Sequence, residues 1–401
     1  MKRLSLLLIL IAVLITVYLP WQGIAYASDI QPDISAPSAI VIEEKTGDVL
    51  WEKNPDEKRG IASTTKIMTA LLVIELEALD TTVTVGDDVL SAGRYGIKLS
   101  VGERMSINDL LYALMLNSAN DAAVVVAGHV GGSVEKFLDV MNMKALEIGA
   151  ENTNYANPHG LTDGSHYSTA RDLALIARYA MQNKDFARVV ATKEWKLTRA
   201  DPKKPAVVEN RNKLLWSYPG ATGIKTGYTD SAGNCLVSSA KRGDISIITV
   251  ILGVRSQEAV FRESKALLDY GFSLYSTKKL ISEGTTYGKV KMKYGQTVHL
   301  VAASDVKAAV RDSVDTKVIV KRKSVVRYPV KKGMVLGRVA IVQSGRTVAT
   351  SDLVAGEAVK KPAFSQIMRF YINQFLGSIF KIRQAGSASN HLWGENHLSI
   401  A

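Results

Sequence analysis

Between Thr64 and Leu79 the apolar positions Ile67, Leu71, Ile74 and Ala78 recur at helical spacing, so a helix is expected to begin near Ser63. Residues 108–126 read as a second, long apolar helix, and Thr169-x-x-Asp172 opens a third with a capping-type signature. Ahead of these helices, Ile40-Val41-Ile42 and Val49-Leu50-Trp51 flank Lys45-Thr46-Gly47-Asp48, the pattern of a hairpin whose glycine suits a tight turn. After Pro219-Gly220 the texture turns to strands over 223–228, 234–240 and 245–254, and residues 258–270 return to helical spacing. Strands at both ends of a segment with helices between them imply one antiparallel sheet, completed by both ends and covered by helices. The expected class is therefore α/β, of the α+β kind.

From Ser276 the pattern changes again. Short valine-rich runs over 298–301, 317–323 and 335–342 alternate with glycine-containing turns, which predicts a small separate β domain. Beyond it, Phe364, Ile367, Met368, Tyr371, Ile372, Phe375, Leu376, Ile379 and Phe380 fall on one slowly drifting face, with Asn373, Gln374, Ser378 and Lys381 off it. Phe370 is the one large apolar residue off that stripe. Polar positions disfavour a spanning helix, whereas aromatics, aliphatics and flanking cations suit a helix lying in a membrane interface. Docking on its own domain is the alternative.

At the other end, Lys2 and Arg3 precede an apolar stretch over 4–19 and Ala25-Tyr26-Ala27, the layout of a cleavable export leader. The apolar run is short for a spanning anchor. The expected organisation is a leader over 1–27, a larger domain over 28–275, a β domain over 276–362, an amphipathic helix over 363–383 and a tail over 384–401 with no periodicity.

The 401 residues are 47% hydrophobic, ample for a substantial core, and the single cysteine, Cys235, excludes an intrachain disulfide. Its place in Asn234-Cys235-Leu236-Val237 suggests a small buried hydrophobe. The net charge of +12 favours anionic membrane lipids or wall polymers. Nucleic acid is a poor partner for an exported chain without a clustered basic and aromatic motif.

Candidate chemistry centres on Ser63-Thr64-Thr65-Lys66. Residues three apart on a helix share a face, so Lys66 can place its amine beside the Ser63 hydroxyl. A lysine serves as base only if burial or a neighbouring cation lowers its pKa. Spacing alone decides nothing, because Ser133, Ser238, Ser276, Ser304 and Ser378 also precede a lysine by three residues. Only Ser63 is succeeded in order by two further motifs, Ser118-Ala119-Asn120 in a helical segment and then Lys225-Thr226-Gly227 on a strand. An earlier Lys45-Thr46-Gly47 falls in the hairpin turn. This ordered trio marks penicillin-binding proteins and class A β-lactamases.

With these motifs, and with Asn120-Asp121-Ala122-Ala123 and Asn157-Pro158-His159-Gly160-Leu161, the chain resembles the low-molecular-mass penicillin-binding proteins of the D-alanyl-D-alanine carboxypeptidase family, from about Ser28 to about Lys381. The resemblance implies a penicillin-binding, β-lactamase-like fold and a serine peptidase acting on the peptidoglycan stem pentapeptide, with β-lactams as covalent inhibitors and no metal or cofactor. It implies Ser63 as nucleophile, Lys66 as base and Ser118 as proton relay toward the leaving amine. Asn120 would hold the substrate amide, Lys225 and Thr226 its carboxylate, and Gly227 would permit close approach of the strand. The N–H groups of Ser63 and Tyr228 would hold the oxyanion. It also implies a membrane tether through the C-terminal helix, placing the protein on the outer face of the cytoplasmic membrane or in the wall or periplasmic space.

Asp121 reads as structural, and His159 as a turn histidine packed over the core. One departure stands out. Relatives often carry a carboxylate-binding arginine after the last strand, where this chain has Val260, with Arg255 and Arg262 nearby but off the matching position. A class A β-lactamase is disfavoured, since no Glu-x-x-x-Asn pattern occurs. An endopeptidase acting on crosslinks would show the same motifs, and a wall-binding or β-lactam-sensing module is the non-catalytic alternative.

Overall fold

Five strands pair antiparallel in the order β2-β1-β5-β4-β3, where β1 is Ser38–Glu43, β2 Val49–Lys53, β3 Ala221–Thr229, β4 Gly233–Arg242 and β5 Ile245–Val254. The computed structural model describes residues 31–389 except Arg94; the leader over 1–27 and the end of the tail lie outside the described residues. As the spacing predicts, β1 and β2 complete the sheet formed by the three later strands.

Alternation along the strands explains the layers. Ile40, Ile42, Ile248 and Val250 face one core with the main helical layer, while Ala39, Val41, Ile247 and Ile251 face a second core under a single helix. Every residue of β1 is buried, so the strand reads as a continuous run rather than an amphipathic alternation. The helical layer contains α1 (Lys66–Leu76), α2 (Asn120–Gly131), α3 (Val134–Ile148), α4 (Ala170–Met181) and α5 (Lys184–Ala191). Across the sheet lies α6 (Gln257–Ser273), packed through Val260, Leu267, Leu268 and Phe272. Thr169 caps α4 as its sequence predicts, its hydroxyl accepting from the Asp172 N–H at 3.0 Å.

The β domain begins with β6 (Tyr275–Ile281), which pairs with β9 (Val306–Arg311). Its larger sheet runs in the order β7-β8-β12-β11-β10, from β7 (Thr286–Lys291), β8 (Thr297–Ala302), β10 (Lys317–Arg322), β11 (Val335–Gln343) and β12 (Arg346–Ala355). A core of its own, including Val298, Leu300, Val339 and Leu353, lies within it. Arg346 reaches Glu43 at 3.5 Å and Arg311 reaches Asp48 at 3.6 Å, which seats this domain against the β1–β2 hairpin. A final helix, α7 (Phe364–Ser389), leaves the β domain and is longer than the stretch over 363–383 that periodicity predicts. No helix among the described residues is long and apolar enough to cross a membrane.

Candidate active site

Ser63 sits in a 3-10 turn, Ala62–Thr65, that runs directly into α1. Side chains at i and i+3 nearly eclipse in such a turn, so the Ser-x-x-Lys spacing works even before the α-helix starts. Lys66 Nζ lies 3.0 Å from Ser63 Oγ, 2.7 Å from Asn120 Oδ1 and 2.6 Å from the His159 carbonyl. A neutral amine in this position donates its two N–H groups to the Asn120 and His159 oxygens. Its lone pair is then left facing the serine hydroxyl. Burial, then the nearby cations Lys225 and Arg211, push Lys66 well below the ordinary lysine range, with Asp121 opposing.

The apolar run over 108–126 is not one helix, contrary to its periodicity. A helix over Ile107–Tyr112 widens into a π turn, Ala113–Asn117, and stops at Ser118, whose φ of 64° is left-handed; α2 then restarts at Asn120. Such a break inside an apolar run re-aims side chains that a straight helix would bury. Here it places Ser118 and Asn120 on the wall of a cleft of about 710 Å³, together with Ser63, Thr226, Gly227 and Tyr228.

Strand β3 supplies the opposite wall. Lys225 is buried and donates to the Thr226 carbonyl at 3.1 Å, and burial and then Arg211 push its ammonium down to about 7. A Cβ on Gly227 would stand 2.9 Å from Ser63 N and 3.0 Å from the Ile61 carbonyl, so glycine is what lets the strand lie against the nucleophile turn. Tyr228 is exposed at the rim. The decoys fall elsewhere: Lys45 donates to the Asp244 carbonyl, Ser133 caps α3, and Ser238 pairs with Thr249 across β4 and β5. Asp121 is structural, accepting from the N–H groups of Ile97, Leu99 and Ala122.

Three contributors escaped the sequence reading. The first is the His159 carbonyl. The ring of His159 does hold the turn, with Nδ1 accepting from the Leu161 N–H, and burial pushes its pKa down to about 3, but its backbone oxygen accepts from the Lys66 amine. The second is His166, whose Nε2 lies 2.7 Å from Thr65 Oγ1 while its Nδ1 accepts from the Ala156 N–H. Since the Thr65 hydroxyl donates to the Ala62 carbonyl, Nε2 carries the proton, and burial holds this histidine down to about 4, neutral under the nucleophile turn. No spacing rule connects residue 166 to residue 65.

The third is Arg211, which lines the cleft and donates to Asn117 Oδ1 at 3.2 Å. Val260 also lines the cleft, buried and uncharged, whereas Arg255 and Arg262 are outside its lining. Arg211 therefore brings a cation to the cleft where the expected arginine position is apolar. Arg211→Gln is expected to raise KM for a carboxylate-terminated substrate about tenfold, of the order of one exposed charge-assisted contact. Removing this cation also moves the Lys66 and Lys225 pKa values upward, so the rising limb of the pH–rate profile should shift to higher pH. An unchanged KM and profile would remove Arg211 from the site.

Residues 26–256 match the family model for D-alanyl-D-alanine carboxypeptidases, and residues 275–361 match the model for the C-terminal domain of penicillin-binding protein 5. The chain is 36% identical over 346 residues to the D-alanyl-D-alanine carboxypeptidase DacF of Bacillus subtilis, covering 83% of this chain and 88% of that protein. It is 31% identical to DacC of Escherichia coli, covering 87% and 91%. Among solved structures, the carboxypeptidase DacD of Francisella tularensis aligns with a TM-score of 0.58 at 29% identity, covering 83% of this chain and 96% of that one. The Streptomyces K15 DD-transpeptidase aligns with a TM-score of 0.58 at 36% identity, covering 61% and 99%. With a matching family model over more than half its length, the chain belongs to the D-alanyl-D-alanine carboxypeptidase family.

Proposed function

We propose that the protein removes the terminal D-Ala from peptidoglycan stem pentapeptides through an acyl-enzyme on Ser63. The contact that carries this reading is Lys66 Nζ at 3.0 Å from Ser63 Oγ, with its other partners both acceptors. Lys66 takes the hydroxyl proton as Oγ bonds to the carbonyl carbon of the penultimate D-Ala. Ser118 passes a proton to the nitrogen of the leaving D-Ala as the C–N bond breaks. Water then attacks the ester, regenerating Ser63 and releasing the tetrapeptide. Asn120 holds the substrate amide, and Lys225, Thr226 and Arg211 hold the terminal carboxylate. Family members act on peptidoglycan peptides and bind β-lactams, which offer the same serine an acyl group beside a carboxylate.

The working unit in this reading is residues 28–275, exported and carried by the β domain over 276–362. Its tether is α7 on the outer face of the cytoplasmic membrane. The side chains of Phe364, Met368, Tyr371, Ile372, Phe375, Leu376 and Ile379 on the apolar stripe are exposed, which supports an interfacial role over docking on the protein. Phe370, off the stripe, meets the β domain edge-on at Tyr294, and of the stripe residues Tyr371 reaches the same ring while staying exposed.

One preparation tests both parts. Residues 28–361 should be recovered in the soluble fraction, and with pentapeptide should release one D-Ala per peptide and leave tetrapeptide. Cleavage of crosslinked muropeptides in preference to pentapeptide would assign an endopeptidase instead. Retention of the truncated protein on membranes as full as that of the intact chain would refute the tether.

A further inference from the structure

The net charge of this protein is not spread over it. Of its 50 lysines and arginines and 38 acids, residues 275–361 hold 18 and 6, which leaves 32 of each elsewhere. The entire excess of +12 therefore belongs to the β domain, while the rest of the chain is balanced. Within the β domain four of the six acids are already engaged: Asp312 by Lys278, Asp305 by Lys279, Asp352 by Arg338 and Glu357 by His299. The bases at the end of the domain next to α7 have no such partner within 4 Å among the described residues.

Contacts place those bases together. Arg322 at the end of the edge strand β10 donates to the Lys289 carbonyl on β7 at 2.6 Å, bringing the Lys321-Arg322-Lys323 run to the Lys289 side. Tyr294 stacks on Tyr328 with centroids 5.9 Å apart, which brings the chain segment carrying Arg327 against the one carrying Lys293. The same Tyr294 meets Phe370 and Tyr371 of α7 edge-on, and Gly295 lies against the Phe370 ring. Lys289, Lys293, Lys323, Arg327 and the helix's own Arg369 are all exposed. This end of the domain thus joins a basic face to the root of a helix whose apolar stripe is uncovered. Val318, Ile319 and Val320 on β10 add exposed apolar area to the same strand that ends in Lys321 and Arg322.

We infer that this basic face of the β domain binds the anionic headgroups of a phospholipid surface, so that the membrane is held by two devices, the apolar stripe of α7 and the charge of the domain above it. The inference rests on α7 lying in the interface. Charge complementarity and continuity with the helix favour lipid over a soluble polyanion, because a free polymer would gain nothing from the uncovered apolar residues beside the bases. Stable membrane attachment generally takes two signals. Each base brought near an anionic surface contributes about fivefold in affinity, an effect that decays within a Debye length.

The test is sedimentation of the full chain with vesicles at 0.15 M salt. One set is phosphatidylcholine alone, and the other contains about three parts in ten phosphatidylglycerol. The intact protein should bind both, the anionic set at least ~30-fold more tightly. Combined Lys289→Gln, Lys293→Gln, Lys323→Gln and Arg327→Gln should remove ~10²-fold of the binding to anionic vesicles and leave that to phosphatidylcholine unchanged. Penicillin labelling of Ser63 checks that the variant is folded. Ile372→Glu with Phe375→Glu should do the reverse, abolishing binding to phosphatidylcholine while keeping the preference for the anionic set. Equal binding of the intact protein to both sets would overturn the basic face and leave the helix standing. Binding to neither would overturn both. Binding of soluble poly(glycerol phosphate) as tight as that of anionic vesicles would reassign the face to a wall polymer.

Discussion

Lys66→Ala should acylate with penicillin ~10²–10⁴-fold more slowly than the native protein while giving the same near-ultraviolet circular dichroism. In the proposed mechanism the pocket and carboxylate partners remain, and the group that would accept the serine proton is gone. Lys66→Arg is the sharper control, since guanidinium keeps N–H donors in place but stays charged and cannot accept a proton near neutral pH; it should be as slow as the alanine variant. The pH dependence has a sign on each side. Lys66 must be neutral to act as base, and because its pKa lies well below the ordinary lysine range, acylation rises with pH on the acid side as it loses its proton. Lys225 must be charged to hold a carboxylate, and with its ammonium pushed down to about 7, binding weakens as pH rises through that value. The profile of kcat/KM should therefore be bell-shaped. Near-native acylation by both variants would show that another group is the base.

Gly160→Ala should damage the site almost as severely from a position in the cleft wall that has no side chain to offer a substrate. Gly160 has a φ of 88°, and a Cβ there would stand 1.9 Å from the Ala62 carbonyl and 2.8 Å from Thr65 Oγ1. The left-handed conformation alone costs an alanine roughly 1–2 kcal/mol, and the clash forces the loop away from the nucleophile turn. His159 moves with it, and its carbonyl leaves Lys66. A displacement of about 1 Å at such a site costs ~10²-fold in rate, so acylation should fall by at least that much along with a lower melting temperature. Gly164, with nothing within 4 Å of its would-be Cβ, is the control, and Gly164→Ala should change neither quantity. Native acylation by Gly160→Ala would mean that the loop and the turn are not in contact as described.

The sheet and the motifs were legible in the sequence because both leave local signatures. Continuous apolar strands, a glycine turn at 45–48 and the Thr169 cap are each decided by neighbours within a few residues. What failed was anything decided across the fold. The break at Ser118 falls in Asn117-Ser118-Ala119-Asn120-Asp121, a polar stretch that the flanking apolar periodicity reads through, and a π turn and a left-handed serine separate the two halves. The three missed contributors act through a backbone carbonyl, a hydrogen bond spanning 101 residues and a loop arginine, none of which has a periodicity to read. Asn157-Pro158-His159-Gly160 reads in the sequence as family wording with a turn histidine, and nothing local ties its carbonyl to Lys66. The signal that could have supplied one is the requirement for a left-handed glycine beside a buried lysine that needs acceptors. Phe370 shows the same limit in reverse, for it breaks the apolar stripe in sequence and meets the β domain in space.

The chemistry converges on one oxygen atom. Labelled penicillin, incubated with the full chain, digested and sequenced by mass spectrometry, should be found as a single covalent adduct on Ser63, and Ser63→Ala should carry none. The five other serines that precede a lysine by three residues are built-in controls, because Ser133, Ser238, Ser276, Ser304 and Ser378 share the spacing without the cleft. An adduct on any of them, or undiminished labelling of Ser63→Ala, would contradict the account at its centre.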